Sequence, residues 1–134
     1  MKVLIDTNIL VSSALYQESM VANAFFKATQ FPYEALLCDY CLDEFKRIST
    51  TKLIRYSKGI DKFLEVANLL VQIVKTPTEF LLEERLIRDI NDRPILRAAI
   101  KENVDIILTG DKDFLESGIL YPKMMSPSDF MKLL

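Results

Sequence analysis

Lys2-Val3-Leu4-Ile5-Asp6-Thr7-Asn8-Ile9-Leu10 is the stretch that decides the fold. Val3, Leu4 and Ile5 form a short, branched, wholly apolar run, the composition of a strand buried on both faces of a parallel sheet. Asp6 ends the run. A carboxylate at the carboxyl end of a central parallel strand stands in the crevice beyond the strand tips, where open α/β sheets collect ligands. Thr7 and Asn8 add a hydroxyl and an amide beside it, and Asn8 is placed to cap a helix starting at Ile9. A short polar residue at a strand end is also an ordinary turn or capping residue, so Asp6 alone identifies nothing.

Outward from that stretch, helical patterns alternate with short apolar runs. Ile9 to Leu15 and Met20 to Ala28 read as helices, the second capped by Ser19. Leu36 and Leu37 lead to Cys38 as a second strand, stopped by Asp39. In the helix Tyr40 to Ile48, Cys41, Phe45 and Ile48 make the buried stripe, and Glu44 runs along its edge while Asp43 points to water. Thr51 to Gly59 contains a short helix ended by Gly59, and Asp61 to Ile73 carries helical spacing, although Val71 to Val74 equally fits the opening of a strand. Pro77 closes that element, and Phe80 to Asn91 reads as a connection. Asp92, Arg93 and Pro94 mark a helix start, with the helix running to about Glu102. Asp105 to Thr109 is the next strand, broken by Gly110. Met124 and Met125 form a last strand before Ser126 caps a terminal helix through Leu134. No repeat or linker divides the chain, so residues 1–134 are taken as a single domain.

Composition restricts the chemistry. Half of the 134 residues are hydrophobic, with only 3 Gly and 5 Pro, a globular balance with enough chain for a core. No apolar run approaches the roughly 20 residues that span a bilayer, and the amino terminus is unlike a signal peptide, so a cytoplasmic location is expected. The sequence has no histidine, which removes both the commonest general base and the commonest transition-metal ligand. A net charge of -2 argues against coating nucleic acid by bulk attraction. The pair Cys38 and Cys41 has C-x-x-C spacing, which raises a dithiol redox site. No second pair and no histidine completes a zinc site. Asp39 and Tyr40 fill the middle positions in place of the Trp or Pro of a thioredoxin motif, so two reduced, half-buried thiols are expected.

Further acids recur at matching places. Asp111 and Asp113 follow a strand as Asp6 does, Gly110 lets the backbone turn closely beside them, and Asp92 opens a helix. Each has an ordinary explanation as a cap or turn residue. Their coincidence with a helix-borne glutamate on a buried edge is what carries meaning. Carboxylates gathered in one crevice raise one another's pKa, and a divalent cation removes that penalty. Oxygen-only donors select hard cations such as Mg²⁺ or Mn²⁺. Such an ion polarises a phosphate oxygen and activates water, which supplies phosphodiester hydrolysis without histidine.

Four blocks together resemble a PIN-domain nuclease. They are Val3-Leu4-Ile5-Asp6-Thr7-Asn8-Ile9-Leu10, Leu42-Asp43-Glu44-Phe45, Asp89-Ile90-Asn91-Asp92-Arg93-Pro94-Ile95-Leu96-Arg97-Ala98-Ala99 and Leu108-Thr109-Gly110-Asp111-Lys112-Asp113-Phe114-Leu115. The branch it resembles is that of the toxin components of toxin-antitoxin systems. The resemblance implies a three-layer α/β/α sandwich around a mainly parallel sheet and a metal-dependent endoribonuclease activity using Mg²⁺ or Mn²⁺. By position it implies Asp6, Glu44, Asp92 and Asp111 as metal-binding and catalytic acids, with Asp113 a fifth metal candidate. Asn8 and Thr109, and by a weaker transfer Ser12, would stand behind the acids and orient them. Asp92 is preferred over Asp89 because it directly precedes the Pro-Ile-Leu helix. The resemblance also implies a cognate antitoxin protein and a homodimer.

An RNA substrate needs cations. Lys46, Arg47, Lys52, Arg55 and Lys58, with Lys62, follow Glu44 and form a candidate guide for an RNA backbone, although a solvated helical surface has the same composition. Tyr40 and Tyr56 are candidates for stacking on unpaired bases. Two other readings compete with the ribonuclease: a different Mg²⁺-dependent carboxylate phosphohydrolase or phospho-accepting regulator, and a non-catalytic PIN-like scaffold. Against the former, Asp6-Thr7-Asn8 lacks the second aspartate of the common aspartyl-phosphate phosphatases. Against the latter, a scaffold has no need of an electrostatically costly acid cluster.

Overall fold

The computed structural model describes residues 1–133. The apolar runs become strands β1 (Lys2–Ile5), β2 (Glu34–Cys38), β3 (Gln72–Val74), β4 (Ile106–Leu108) and β5 (Lys123–Met125). All pairings are parallel and the order is β3-β2-β1-β4-β5, so β1 is central. Leu4 lies between Leu36 of β2 and Ile107 of β4. Burial explains this placement: Val3, Leu4 and Ile5 are wholly excluded from solvent, each such side chain contributing about 1.5–3 kcal/mol by leaving water.

The helices are α1 (Thr7–Leu15), α2 (Met20–Ala28), α3 (Asp39–Thr50), α4 (Ser57–Leu70), α5 (Arg93–Lys101), α6 (Lys112–Leu115) and α7 (Pro127–Met131). Strand order moves outward from β1 in one direction through β2 and β3, then crosses back to β4 and β5. Right-handed crossovers therefore lay α1 to α4 over one face of the sheet and α5 and α6 over the other. Within the first layer α1 contacts α2, α3 and α4, and α7 returns to pack on α2. Phe25 and Phe63 join α2 to α4, ring centroids 5.6 Å apart. The result is the expected three-layer α/β/α sandwich.

Several boundaries differ from the sequence reading, each for a local reason. α1 begins at Thr7 with Asp6 at its N-cap, so Asn8 lies inside the first turn and is not the cap. Gly59 does not end a helix; a 3-10 turn at Ile54–Tyr56 runs straight into α4, whose buried residues Ile60, Phe63 and Ala67 carry the helix across the glycine. α4 stops at Leu70 and the chain turns into β3, settling the ambiguity of Val71 to Val74 for a strand. Asp39 opens α3 and also accepts hydrogen bonds from the backbone and hydroxyl of Thr76, at 2.9 and 2.5 Å, tying the end of β3 to the start of that helix. The connection Phe80 to Asn91 holds a 3-10 turn, Leu82–Leu86, whose Glu84 is buried against Arg97 of α5 at 2.7 Å. The terminal helix ends at Met131, and the Leu134 end of the expected helix lies outside the described residues.

Candidate active site

The reversal of strand order between β1 and β4 opens a crevice at their carboxyl ends, the position where parallel sheets bind ligands. Asp6 follows β1 and Asp111 lies just beyond β4. Asp92 enters from the start of α5 and Glu44 from the second turn of α3. The capping explanation fails for two of these acids: neither Asp6 nor Asp92 caps its helix with its side chain. Asp111 does cap, accepting from the Asp113 backbone N–H at 2.9 Å.

Asp6 is buried, and its Oδ2 accepts a 2.7 Å hydrogen bond from the Thr109 hydroxyl. That hydroxyl oxygen in turn accepts from the Asp111 N–H at 3.0 Å. Burial pushes the Asp6 carboxyl up from its ordinary 3.8 to about 6; the Thr109 hydrogen bond opposes the shift, and Asp111 and Glu44 add to it by repulsion. Half-buried Asp92 is pushed further, to about 8, by burial and then by the neighbouring Asp111 carboxyl; Asp6 and Asp89 add repulsion. Four acids drawn from four elements thus feel one another across the crevice. Glu44 also faces Arg47 at 3.8 Å.

The tightest grouping is not the expected four. Among the described residues, the three carboxylates whose oxygens lie within 4.8 Å of one another are Asp89, Asp92 and Asp113. Asp92 therefore belongs to both groupings, facing Asp6 and Asp111 inward and Asp89 and Asp113 outward. Asp89 is exposed and accepts from the Asn91 N–H at 2.9 Å, a short-range Asx turn that frames Asp92. Its D-x-x-D spacing to Asp92 is the signal that marks it in the sequence. Asp113 is bridged by Arg88 at 2.9 Å, a contact that bears on the outer group and has no sequence signature. The Tyr40 hydroxyl donates to the Asn91 carbonyl at 2.5 Å, holding the Asp89 to Asp92 turn against α3.

The remaining expected residues fall in different places. Thr109 is in contact with Asp6, whereas Asn8 and Ser12 line an adjoining cleft on α1. Of the basic residues, Arg47 reaches Glu44. Lys46 and Lys52 are exposed, and Arg55 and Lys58 line a separate cleft with Ala14 and Leu15, at the end of α1 far from Asp6. Tyr56 is exposed. Cys38 and Cys41 are free thiols buried completely, deeper than the half-buried state expected. The Cys41 thiol is held well above its ordinary range by its hydrogen bond to Cys38 and by burial.

The donor set of the crevice is carboxylate oxygen, which fits a hard divalent cation. Without such an ion, burial and mutual repulsion favour protonation of Asp6 and Asp92.

None of the curated proteins compared matches the chain. Among solved structures, it is similar to a chain in the crystal structure of VapBC2 from Rickettsia felis bound to a DNA fragment from their promoter. The identity is 16%, the match covers 94% of this chain and 98% of that one, and the TM-score is 0.70, a likeness of fold. The family described as PIN domain matches residues 2–113, a span that runs from β1 into the first turn of α6 and includes every acid of the crevice. The chain belongs to the PIN domain family.

Proposed function

We propose that this protein is a metal-dependent endoribonuclease and the toxin of a toxin-antitoxin pair. The observation that carries the reading is the convergence of Asp6, Glu44, Asp92 and Asp111 on the crevice between β1 and β4, with two of them shifted towards neutral pH. Family membership supports a nuclease, and the likeness to a chain of VapBC2 supports a partnered protein of that kind.

In this reading Asp6, Glu44, Asp92 and Asp111 hold Mg²⁺ or Mn²⁺, with Asp113 at the outer edge. The ion supplies charge neutralisation at the scissile phosphate and activation of water. Thr109 fixes the carboxylate plane of Asp6 through its hydroxyl and ties it to the Asp111 backbone. Tyr40 and Asn91 hold the turn that presents Asp92. The Glu84–Arg97 pair anchors α5 from beneath. The antitoxin inhibits by covering the acidic crevice.

The test is cleavage of single-stranded RNA by the purified full chain. Cleavage in Mg²⁺ or Mn²⁺, abolished by chelator and by Asp6→Asn, supports the assignment. Cleavage that persists in Asp6→Asn moves the chemistry elsewhere, and a folded, metal-loaded wild type that cuts no RNA overturns the activity.

A further inference from the structure

A cleft of about 620 Å³ adjoins the acids on the side of α1, α2 and the turns after β4 and β5. It shares Asp111 with the crevice, so anything seated there is continuous with a group held at the acids. Its size lies within the range of small-ligand sites, about 300–1,000 Å³. The floor is apolar: Ile9 and Pro127 are buried, Val21 is half-buried and Met20 is 50% exposed over it.

Three polar groups on its rim, Asn8, Ser12 and Lys112, are left open to a ligand. Lys112, directly after Asp111, forms no ion pair among the described residues. The side chains of Asn8 and Ser12, one helical turn apart on α1, have no hydrogen-bond partner among the described residues. Ser126 and Ser128 share a hydrogen bond of 3.2 Å, and Ser126 also accepts from the Asp129 N–H as the cap of α7, which leaves the Ser128 hydroxyl the more available of the two. An ammonium beside the acids, amide and hydroxyl groups on both walls and an apolar floor with an adaptable thioether together match phosphate, sugar and base.

We propose that this cleft binds the nucleotide adjoining the scissile phosphate: Lys112 takes the next backbone phosphate and Met20, Val21 and Pro127 take the base. The proposal rests on the ribonuclease reading and adds a substrate subsite with base selectivity. The basic residues Arg55 and Lys58, at the other end of α1, take no part in it.

Two variants of the full chain test it, Met20→Asp and Lys112→Gln, both at surface positions. Affinity for a single-stranded oligoribonucleotide is measured by fluorescence anisotropy in Ca²⁺, and KM and kcat are measured in Mg²⁺ on oligomers of each base. Met20→Asp is expected to raise Kd and KM about tenfold and to change the order of base preference. Lys112→Gln is expected to weaken all sequences alike and to lower the slope of log Kd against log salt by about 0.7. The Mg²⁺-induced rise in Tm stays as in the wild type for Met20→Asp. Unchanged Kd, KM and base order in both variants of a protein that does cleave RNA overturns the subsite and leaves the ribonuclease. A wild type that cleaves nothing but loses RNA binding in both variants overturns the ribonuclease and leaves the subsite.

Discussion

The Thr109 hydroxyl donates a 2.7 Å hydrogen bond to the Asp6 carboxylate from 103 positions away in the chain. The same oxygen accepts from the Asp111 N–H at 3.0 Å, so one side chain joins the acids that follow β1 and β4. Parallel pairing of Ile5 with Leu108 is what sets this register. A partner that orients a metal-binding acid typically matters by 10–100-fold in metal affinity. Thr109→Val, which keeps the shape and removes the donor, should therefore weaken Mn²⁺ binding by about that factor in a calorimetric titration. Affinity within twofold of wild type would show that Asp6 is oriented by packing alone.

Stability without metal should fall as pH rises. The folded pKa of Asp6 is about 6 and that of Asp92 about 8, against 3.8 for each ordinarily, so the folded protein binds more protons than the unfolded one over this window. The associated stabilisation is present below about pH 4 and is lost through pH 6 for Asp6 and through pH 8 for Asp92. For buried Asp6 it is on the order of 1–3 kcal/mol; half-exposed Asp92 contributes less than its shift implies because water screens it. Asp6→Asn should therefore raise Tm in chelator at pH 8 and flatten the decline from pH 5 to pH 8. Equal pH slopes for variant and wild type would contradict the shift.

The buried pair of Glu84 and Arg97 makes a separate stability prediction. Arg97 Nε meets Glu84 Oε2 at 2.7 Å, the Leu81 N–H donates to that carboxylate at 3.0 Å, and the Phe80 ring lies 4.6 Å from the guanidinium. Buried, the pair holds the Glu84 carboxyl below its ordinary range despite the desolvation that opposes it. Arg97→Met alone leaves an unpaired buried carboxylate and should cost about 3–5 kcal/mol in urea unfolding, whereas adding Glu84→Leu should recover most of the loss. A single variant that unfolds like the wild type would show that water reaches Glu84.

The parts legible in the sequence are those written in local pattern. Val3 to Ile5 and Ile106 to Leu108 announce buried strands because both faces are covered, and Arg93-Pro94 announces a helix start because proline costs nothing in the first turn. Asp6 and Asp92 stand out because each follows such a signal. What pattern cannot carry is pairing across distance. Glu84 sits in a stretch that reads as a connection, and only the fold brings it to Arg97. The sequence favours Asp92 over Asp89 because Asp92 directly precedes the Pro-Ile-Leu helix, whereas the fold brings both to Asp113. Gly59 reads as a stop, but the apolar contacts of Ile60 and Phe63 outweigh its helix cost of about 1 kcal/mol.

The account stands on one cation seat among Asp6, Glu44, Asp92 and Asp111. Anomalous diffraction from a crystal soaked in Mn²⁺ locates that seat directly. We expect a peak among these carboxylates, ligated by their oxygens, lost in Asp6→Asn. A peak confined to Asp89 and Asp113 on the outer edge, or none in the crevice at millimolar Mn²⁺, would contradict it.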